Sequence, residues 1–278
     1  MLNENNFSVW INTYNRPEEL NENIISLRNS LPESIKINII SNHSRVELHD
    51  DYPNVKVHMN EMRPDSSWGY LARNWNQCYY MGLHNHEYIL ATQDDMIFKE
   101  GWFELINESK KMSFYLAPVG DLAHIASRES FLEVGWWDER FVGIDFQDFD
   151  YIFRVYQNLR DKSSVVDNAT KNIWNDIGLA DYWIGEGYIG ENDRPRGYDR
   201  IHSRMNRLFL GFKRGMDWSE NPKCHKDPRW RDITRKYVVG EIDWYPWFTF
   251  LMQEKTGLKQ SFMNIPYKNF YDNDGYGK

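Results

Sequence analysis

Apolar residues in the first hundred positions come in two alternating patterns, short dense runs and longer stretches with helical spacing. The run Phe7 to Ile11 in "FSVWINTYNRP" has the length of a buried strand and ends in polar turn residues and Pro17. Beyond it Leu20, Ile24, Leu27 and Leu31 recur on one helical face. Pro17 suits the first helical position, and Glu18 and Glu19 favour the positive end of the helix dipole. "IKINII", Ile35 to Ile40, then predicts a second strand closed by the polar "SNHS". Strand, helix and strand in this order open a parallel α/β sheet.

The same alternation continues. "VKVHM" near Val55 predicts a third strand. The next helix is expected to begin near Ser66 or Ser67, with Leu71, Trp75, Cys78 and Met81 or Gly82 along one side and Arg73 and Asn74 near its start. "YILAT" is the fourth strand, followed by a helix from Trp102 to Glu108, a strand in "FYLAPVG", and a short helix and turn in "SRESFLEVGWWDERF". "FQDFDYIFRVYQNL" opens a further helix, with Phe149, Ile152, Phe153 and Tyr156 available for packing. The stretch 161–200, rich in Asp, Asn and Gly, reads as a long excursion near the site. The late aromatic segment "EIDWYPWFTFLMQEKTGL" is expected to pack on the core, with a partner or a peripheral membrane contact as the other readings. The division this implies is a catalytic domain over 1–215, with a nucleotide-binding part to about 98 and an acceptor part beyond it, and a C-terminal extension over 216–278.

Composition narrows the function classes. The chain of 278 residues carries a net charge of −8, which argues against neutralising a nucleic-acid backbone as its main task. Two cysteines, Cys78 and Cys224, are too few for a disulfide framework or a cysteine-based zinc site and read as ordinary thiols. The first residues lack the basic start and apolar run of a signal peptide, and no segment is apolar for long enough to cross a bilayer, so a cytoplasmic setting is expected. Aromatic residues make up 16% of the chain, enough to supply both a core and a surface for stacking on sugar faces.

The candidate chemistry lies in two acidic groups. In "YILATQDDMIF" the fourth strand ends in Gln93, Asp94 and Asp95, and adjacent carboxylates at the edge of a core need solvent or a cation. They read as a solvated turn, a helix cap, or oxygen ligands for Mg²⁺ or Mn²⁺, which need few protein ligands when a substrate phosphate supplies the rest. Because ligands collect beyond the carboxyl ends of the strands in an open α/β sheet, "TYNR", "SNHS" and "QDDM" are expected to meet. In "DFQDFD", Asp145, Asp148 and Asp150 point in different directions on a helix, so one can act as a general base while others cap.

"VWINTYNRPEELNENIISL", "ARNWNQCYYMGLHNHEYILATQDD" and "SRESFLEVGWWDERFVGIDFQDFDYIFRV" occur in an order and separation that resembles the GT-A fold nucleotide-sugar glycosyltransferases, especially the inverting family 2 type. The match covers about Phe7 to Val155. The resemblance implies an α/β, Rossmann-like and mostly parallel sheet flanked by helices, with a C-terminal helical or aromatic extension. It implies a nucleotide pocket lined by Thr13, Tyr14, Asn15 and Arg16, with Asn42 near the base and Arg73 near the diphosphate. Aligned with the family's D-x-D element, Gln93 replaces the first acid, Asp94 is the middle residue and Asp95 the first metal ligand, while His202 in "DRIHSRMNR" is the downstream histidine chosen as a further ligand. Gln147 stands where the family commonly has Glu, and Asp148 matches the catalytic base.

The implied reaction is an inverting, metal-assisted transfer from a nucleotide-sugar, UDP-sugars being the first expectation, to a hydroxyl of a glycan or glycoconjugate. Arg194, Arg196, Arg200, Arg204 and Arg207 either close over the diphosphate or line a solvated helix. Two other readings stay open. A sugar nucleotidyltransferase is ranked lower because no glycine-rich phosphate loop followed by lysine lies near the first strand, and a non-catalytic glycan-binding protein is kept open by Gln93 and Gln147.

Overall fold

A computed structural model of the chain describes residues 1–14, 16–42, 46–60, 71–109, 113–115, 123–141, 147, 148, 150, 151, 154, 180–182, 206 and 210. The strands are β1 (Phe7–Thr13), β2 (Ile37–Asn42), β3 (Val55–Asn60), β4 (Tyr88–Gln93), β5 (Met96–Phe98), β6 (Ser113–Tyr115), β7 (Ala123–Ser127) and β8 (Ala180–Tyr182). Among the described residues the helices with complete bounds are α1 (Pro17–Arg28), α2 (Leu71–Asn85), α3 (Trp102–Ser109) and α4 (Arg128–Val134), and Gln147, Asp148, Asp150, Tyr151 and Arg154 are also helical.

Six strands form one sheet in the order β3-β2-β1-β4-β7-β6. β1 pairs in parallel with β2 and β4, and β2 with β3, while β7 runs antiparallel to β4 and β6. β5 and β8 make a separate antiparallel pair. Every residue of β1 is buried, the condition of a central parallel strand covered on both faces, and this explains its near-continuous apolar run.

The alternation of side chains across the sheet divides the core into two layers. On one face Trp10, Ile40, Ile89, Ala91 and Ala126 pack against Leu71, Trp75, Cys78, Tyr79 and Leu83 of α2 and Phe131 and Val134 of α4. On the other, Phe7, Val9, Ile11, Ile37, Ile39, Leu90 and Ile125 meet Leu20, Ile24 and Leu27 of α1 and Trp102, Phe103 and Ile106 of α3. Helix α2 crosses close to the strands at Gly82, where an added Cβ would stand 2.5 Å from Ile89 Cγ2 and 2.6 Å from Trp10 Nε1.

The mostly parallel α/β sheet is the architecture that the hydrophobic pattern predicts, with corrections in detail. β2 starts at Ile37 rather than Ile35, and α1 ends at Arg28, leaving Leu31 just beyond it. β7 has no counterpart in the predicted elements. Its sequence is "AHIAS", and His124 interrupts the apolar run, although the ring is buried edge-on against Trp75 at 5.0 Å. The expected start of α2 near Ser66, most of the 161–200 excursion, Asp145, the arginines around His202 and the C-terminal extension lie outside the described residues.

Candidate functional site

In the sheet order β3-β2-β1-β4 the chain leaves β1 toward β2 on one side and reaches β4 on the other, so a crevice opens outside the carboxyl ends of β1 and β4. Two sequence-predicted clusters meet there, "TYNR" after β1 and "QDD" at the end of β4. The register sets Asn12 opposite Gln93, and the Asp94 N–H donates to the Asn12 carbonyl at 3.1 Å, extending the pairing one step into the acidic turn.

Asp94 and Asp95 are both buried, at 4% and 2% exposure, which excludes a solvated turn. Their counter-charge is Arg16. Its Nη1 donates to Asp95 Oδ2 at 2.8 Å and lies 3.5 Å from Asp94 Oδ1, and its side chain is itself largely buried. The Tyr14 N–H donates to Asp94 Oδ2 at 3.3 Å, and the Thr13 hydroxyl also bonds this carboxylate. Burial nevertheless lifts the Asp94 carboxyl to about 7, with Arg16 opposing and the neighbouring Asp95 charge adding to the rise. Burial also raises buried Glu19, against the pull of Arg16, so one guanidinium faces three acids.

Helix α1 holds this turn from below. Asn23, fully buried, donates Nδ2 to the carbonyls of Gln93 at 3.3 Å and Met96 at 2.6 Å, the two residues flanking Asp94 and Asp95. Ser26 Oγ accepts from the Phe98 N–H at 3.0 Å. The acidic turn is thereby clamped at both ends to one helix. Sequence reading missed Asn23, although a signal existed: it sits three residues after Leu20 and four before Leu27, a polar residue inside the apolar stripe.

Arg73, expected beside the diphosphate, lies near another acid. Its Nε is 3.9 Å from Glu139 Oε2, and Glu139 also accepts from Asn76 Nδ2 at 2.8 Å. Asn76 in turn donates to the Trp137 carbonyl and accepts from the Trp137 N–H, so α2 grips the "WWDER" turn through one amide. In that turn Arg140 makes a two-pronged pair with Asp138, with contacts of 2.9 and 2.7 Å. Glu139 and Asn76 were not anticipated, because each lies inside a quoted motif but their contact joins two elements some sixty positions apart.

The second acidic group separates into distinct tasks. Asp150 and Arg154, one helical turn apart, form a fully buried pair at 3.1 Å, and Arg154 Nη1 also donates to the carbonyls of Val134 and Trp136. Asp150 therefore anchors structure. Asp148 is helical and half-buried, and the helix carrying it is fixed by Tyr151 stacked on Trp137. Gln147 beside it is buried. Asn42 ends β2 opposite Asn60. Asn15 and His202 lie outside the described residues.

The oxygen set suits a hard cation in one respect: Asp95 Oδ1 is buried without a hydrogen-bond partner. Among the described residues no group of three or more His, Cys, Asp or Glu side chains comes together to hold a metal ion, so any cation there would draw most of its ligands from elsewhere. No helix among the described residues is long and apolar enough to cross a membrane.

No protein-family profile matches the chain, and no curated protein matches its sequence. Solved structures do. GalNAc-T7, in complex with UDP, GalNAc and Mn²⁺, superposes with a TM-score of 0.52 at 13% identity, over 98% of this chain and 57% of that one. The mannosyltransferase PcManGT from Pyrobaculum calidifontis, in complex with GDP-Man and Mn²⁺, gives 0.48 at 10% identity over 97% and 84%. TarS of S. aureus gives 0.41 at 14% identity over 55% and 34%. The chain thus spans less than two thirds of the length of TarS and of GalNAc-T7. Together with the strand order and the crevice at β1 and β4, the likeness to GalNAc-T7 establishes the fold expected from the three sequence motifs, the GT-A fold.

Proposed function

We propose that the chain is a nucleotide-sugar glycosyltransferase whose donor diphosphate lies in the crevice between β1 and β4. The observation that carries this reading is the pair Asp94 and Asp95, buried at the end of β4, bridged by Arg16 and clamped to α1 by Asn23. Burying two adjacent carboxylates is costly, and a chain that does so at the ligand-binding edge of an α/β sheet has a cationic function for them.

In this reading Thr13, Tyr14, Asn15 and Arg16 line the nucleotide side, with Asn42 toward the base and Arg73 toward the diphosphate. Asp95, with Asp94 and His202, would hold Mn²⁺ or Mg²⁺. Such an ion, when bound, screens the charge building on the leaving nucleoside diphosphate. Arg16 releases part of its pairing with Asp95 and turns a cation toward the phosphates. Asp148 takes the proton of the acceptor hydroxyl as the oxygen attacks the anomeric carbon, so the sugar transfers with inversion. The donor is a UDP-sugar first, a GDP- or dTDP-sugar next, and the acceptor a glycan hydroxyl.

The test is a thermal-shift titration with UDP, GDP, dTDP and CDP, with and without Mn²⁺, followed by transfer assays on Asp95→Asn and Asp148→Asn. Stabilisation by one nucleotide, enhanced by Mn²⁺, with transfer lost in both folded variants, supports the reading. No response to any nucleotide, or near-normal turnover in both variants, overturns it and favours the glycan-binding alternative.

A further inference from the structure

On the α2 face of the sheet, away from the acidic turn, a cavity of about 480 Å³ is lined by side chains of unusual charge for this chain. Lys36, Lys56, His58, His84 and His86 surround it, with Asn38, Asn85 and the flanks of Trp10, Tyr80 and Met81 between them. Among the described residues no carboxylate lines it, although the chain as a whole carries a net charge of −8. Among the described residues neither Lys36 nor Lys56 is paired with an acid.

The fold places this cavity. Trp10, Asn38 and Lys56 stand in one row across β1, β2 and β3, and Lys36 is level with Ser8. The Ser8 row precedes that of Asn12 by four residues, about 13 Å along parallel strands, while His58 is level with Asn12 on the edge strand β3, so the cavity runs from the far end of the sheet up its outer edge, two strands away from β1 and the acidic turn. The edge strand β3 forms one wall and the last turns of α2 the other.

A helix carboxyl end would normally bring negative potential to such a place. Here its carbonyls are engaged. Arg128 Nε donates to the Leu83 carbonyl at 2.8 Å and its Nη2 to that of His86 at 3.0 Å, while Asn85 Nδ2 donates to Met81 and the His86 N–H to Gly82. The wall that α2 offers is therefore not anionic.

The histidines are held in place by their neighbours. His58 Nε2 meets Asn38 Oδ1 at 3.1 Å, and because the Asn38 Nδ2 is directed to the Val9 carbonyl, Nε2 carries the proton. Its ring stacks on Trp10, centroids 5.5 Å apart, and the His84 ring stacks on Tyr80. Lys36 and Lys56 place ammonium donors at the rim.

We propose that this cavity is a second ligand site, distinct from the crevice at Asp94 and Asp95, that binds a phosphate- or carboxylate-bearing molecule of saccharide size. The volume falls within the range of small-molecule pockets and exceeds what a lone oxyanion needs, while Lys36 and Lys56 supply the counter-charge and the three imidazoles line the wall. The site stands independently of the donor reading, since none of its lining residues belongs to the acidic turn.

The imidazole signals of His58, His84 and His86, followed by NMR in the full chain, test it against inorganic phosphate, glucuronate, glucose 6-phosphate and neutral glucose. Saturable shifts with the charged probes, absent with glucose and weakened about tenfold in Lys36→Ala/Lys56→Ala, support the site. A response to glucose 6-phosphate without one to glucuronate makes it a phosphate site, and a response to both makes it a general oxyanion site. Both lysines are exposed, so the double variant is expected to keep the wild-type amide spectrum. No shift with any charged probe, or equal shifts in the double variant, overturns the proposal.

Discussion

Trp137 and Tyr151 lie face to face, with ring centroids 4.0 Å apart and planes inclined by 4°. The stack joins the "WWDER" turn to the helix that carries Asp148, and Arg154 lies 4.9 Å from the centroid of the Tyr151 ring. Removing either ring should therefore act on the placement of Asp148 as well as on stability. Trp137→Ala is expected to cost about 3–5 kcal/mol, with Trp137→Phe retaining much of it. Urea denaturation of the two variants measures this, and equal stability of wild type and Trp137→Ala would remove the stack from the account.

Asn23 has no side-chain substitute of similar shape that can donate to two carbonyls. Asn23→Leu leaves the Gln93 and Met96 carbonyls without that donor and should destabilise by about 1–3 kcal/mol. It should also loosen the acidic turn, so nucleotide or Mn²⁺ stabilisation should fall by more than the unfolding midpoint alone predicts. Calorimetric titration of the folded variant measures the second effect separately from the first.

Gly82 admits no larger residue without movement. Gly82→Ala would bring a methyl against the Ile89 side chain and the Trp10 indole nitrogen, and overpacking of this kind costs about 1–3 kcal/mol. The usual helical gain from replacing Gly with Ala, about 0.8–1.0 kcal/mol, offsets only part of this. The variant should melt below wild type. A higher melting temperature would mean that α2 has room to lift from the sheet.

Acid should weaken the fold through His58 and His86. Burial holds both imidazoles below the ordinary histidine value. Lys56 adds to this at His58. At His86 Lys36 and Arg128 add to it, while the Gly82 carbonyl and the Glu4 backbone pull the other way. The unfolded chain then takes up protons first as pH falls below about 6.5, so stability declines there, whereas above that value these groups contribute no slope. Lys56→Ala removes one of the depressing charges at His58 and should flatten the decline. Denaturation midpoints across this range, in wild type and variant, measure the difference.

Much of this architecture was legible because central parallel strands are apolar on both faces. β1 and β4 announced themselves as near-continuous apolar runs, and Pro17 with Glu18 and Glu19 marked the start of α1 closely. β7 was not legible, since its central His124 is polar in sequence but buried among rings in space. The adjacency of "TYNR" and "QDD" followed from the rule for parallel sheets. Arg16 as the shared counter-ion of Asp94 and Asp95 did not, because a charge pair separated by nearly eighty positions leaves no periodicity to read. The same limit hid Glu139, whose partners Arg73 and Asn76 come from another element.

The bridge from Arg16 to Asp94 and Asp95 gives the crevice a built-in placeholder. With its own cation in place, the chain folds without waiting for metal or nucleotide, and chelators should leave its melting temperature where it is. Whatever enters must bargain with an arginine already seated. Arrival then becomes an exchange of partners, and the heat of binding records the difference between two ionic arrangements instead of the filling of a bare hole.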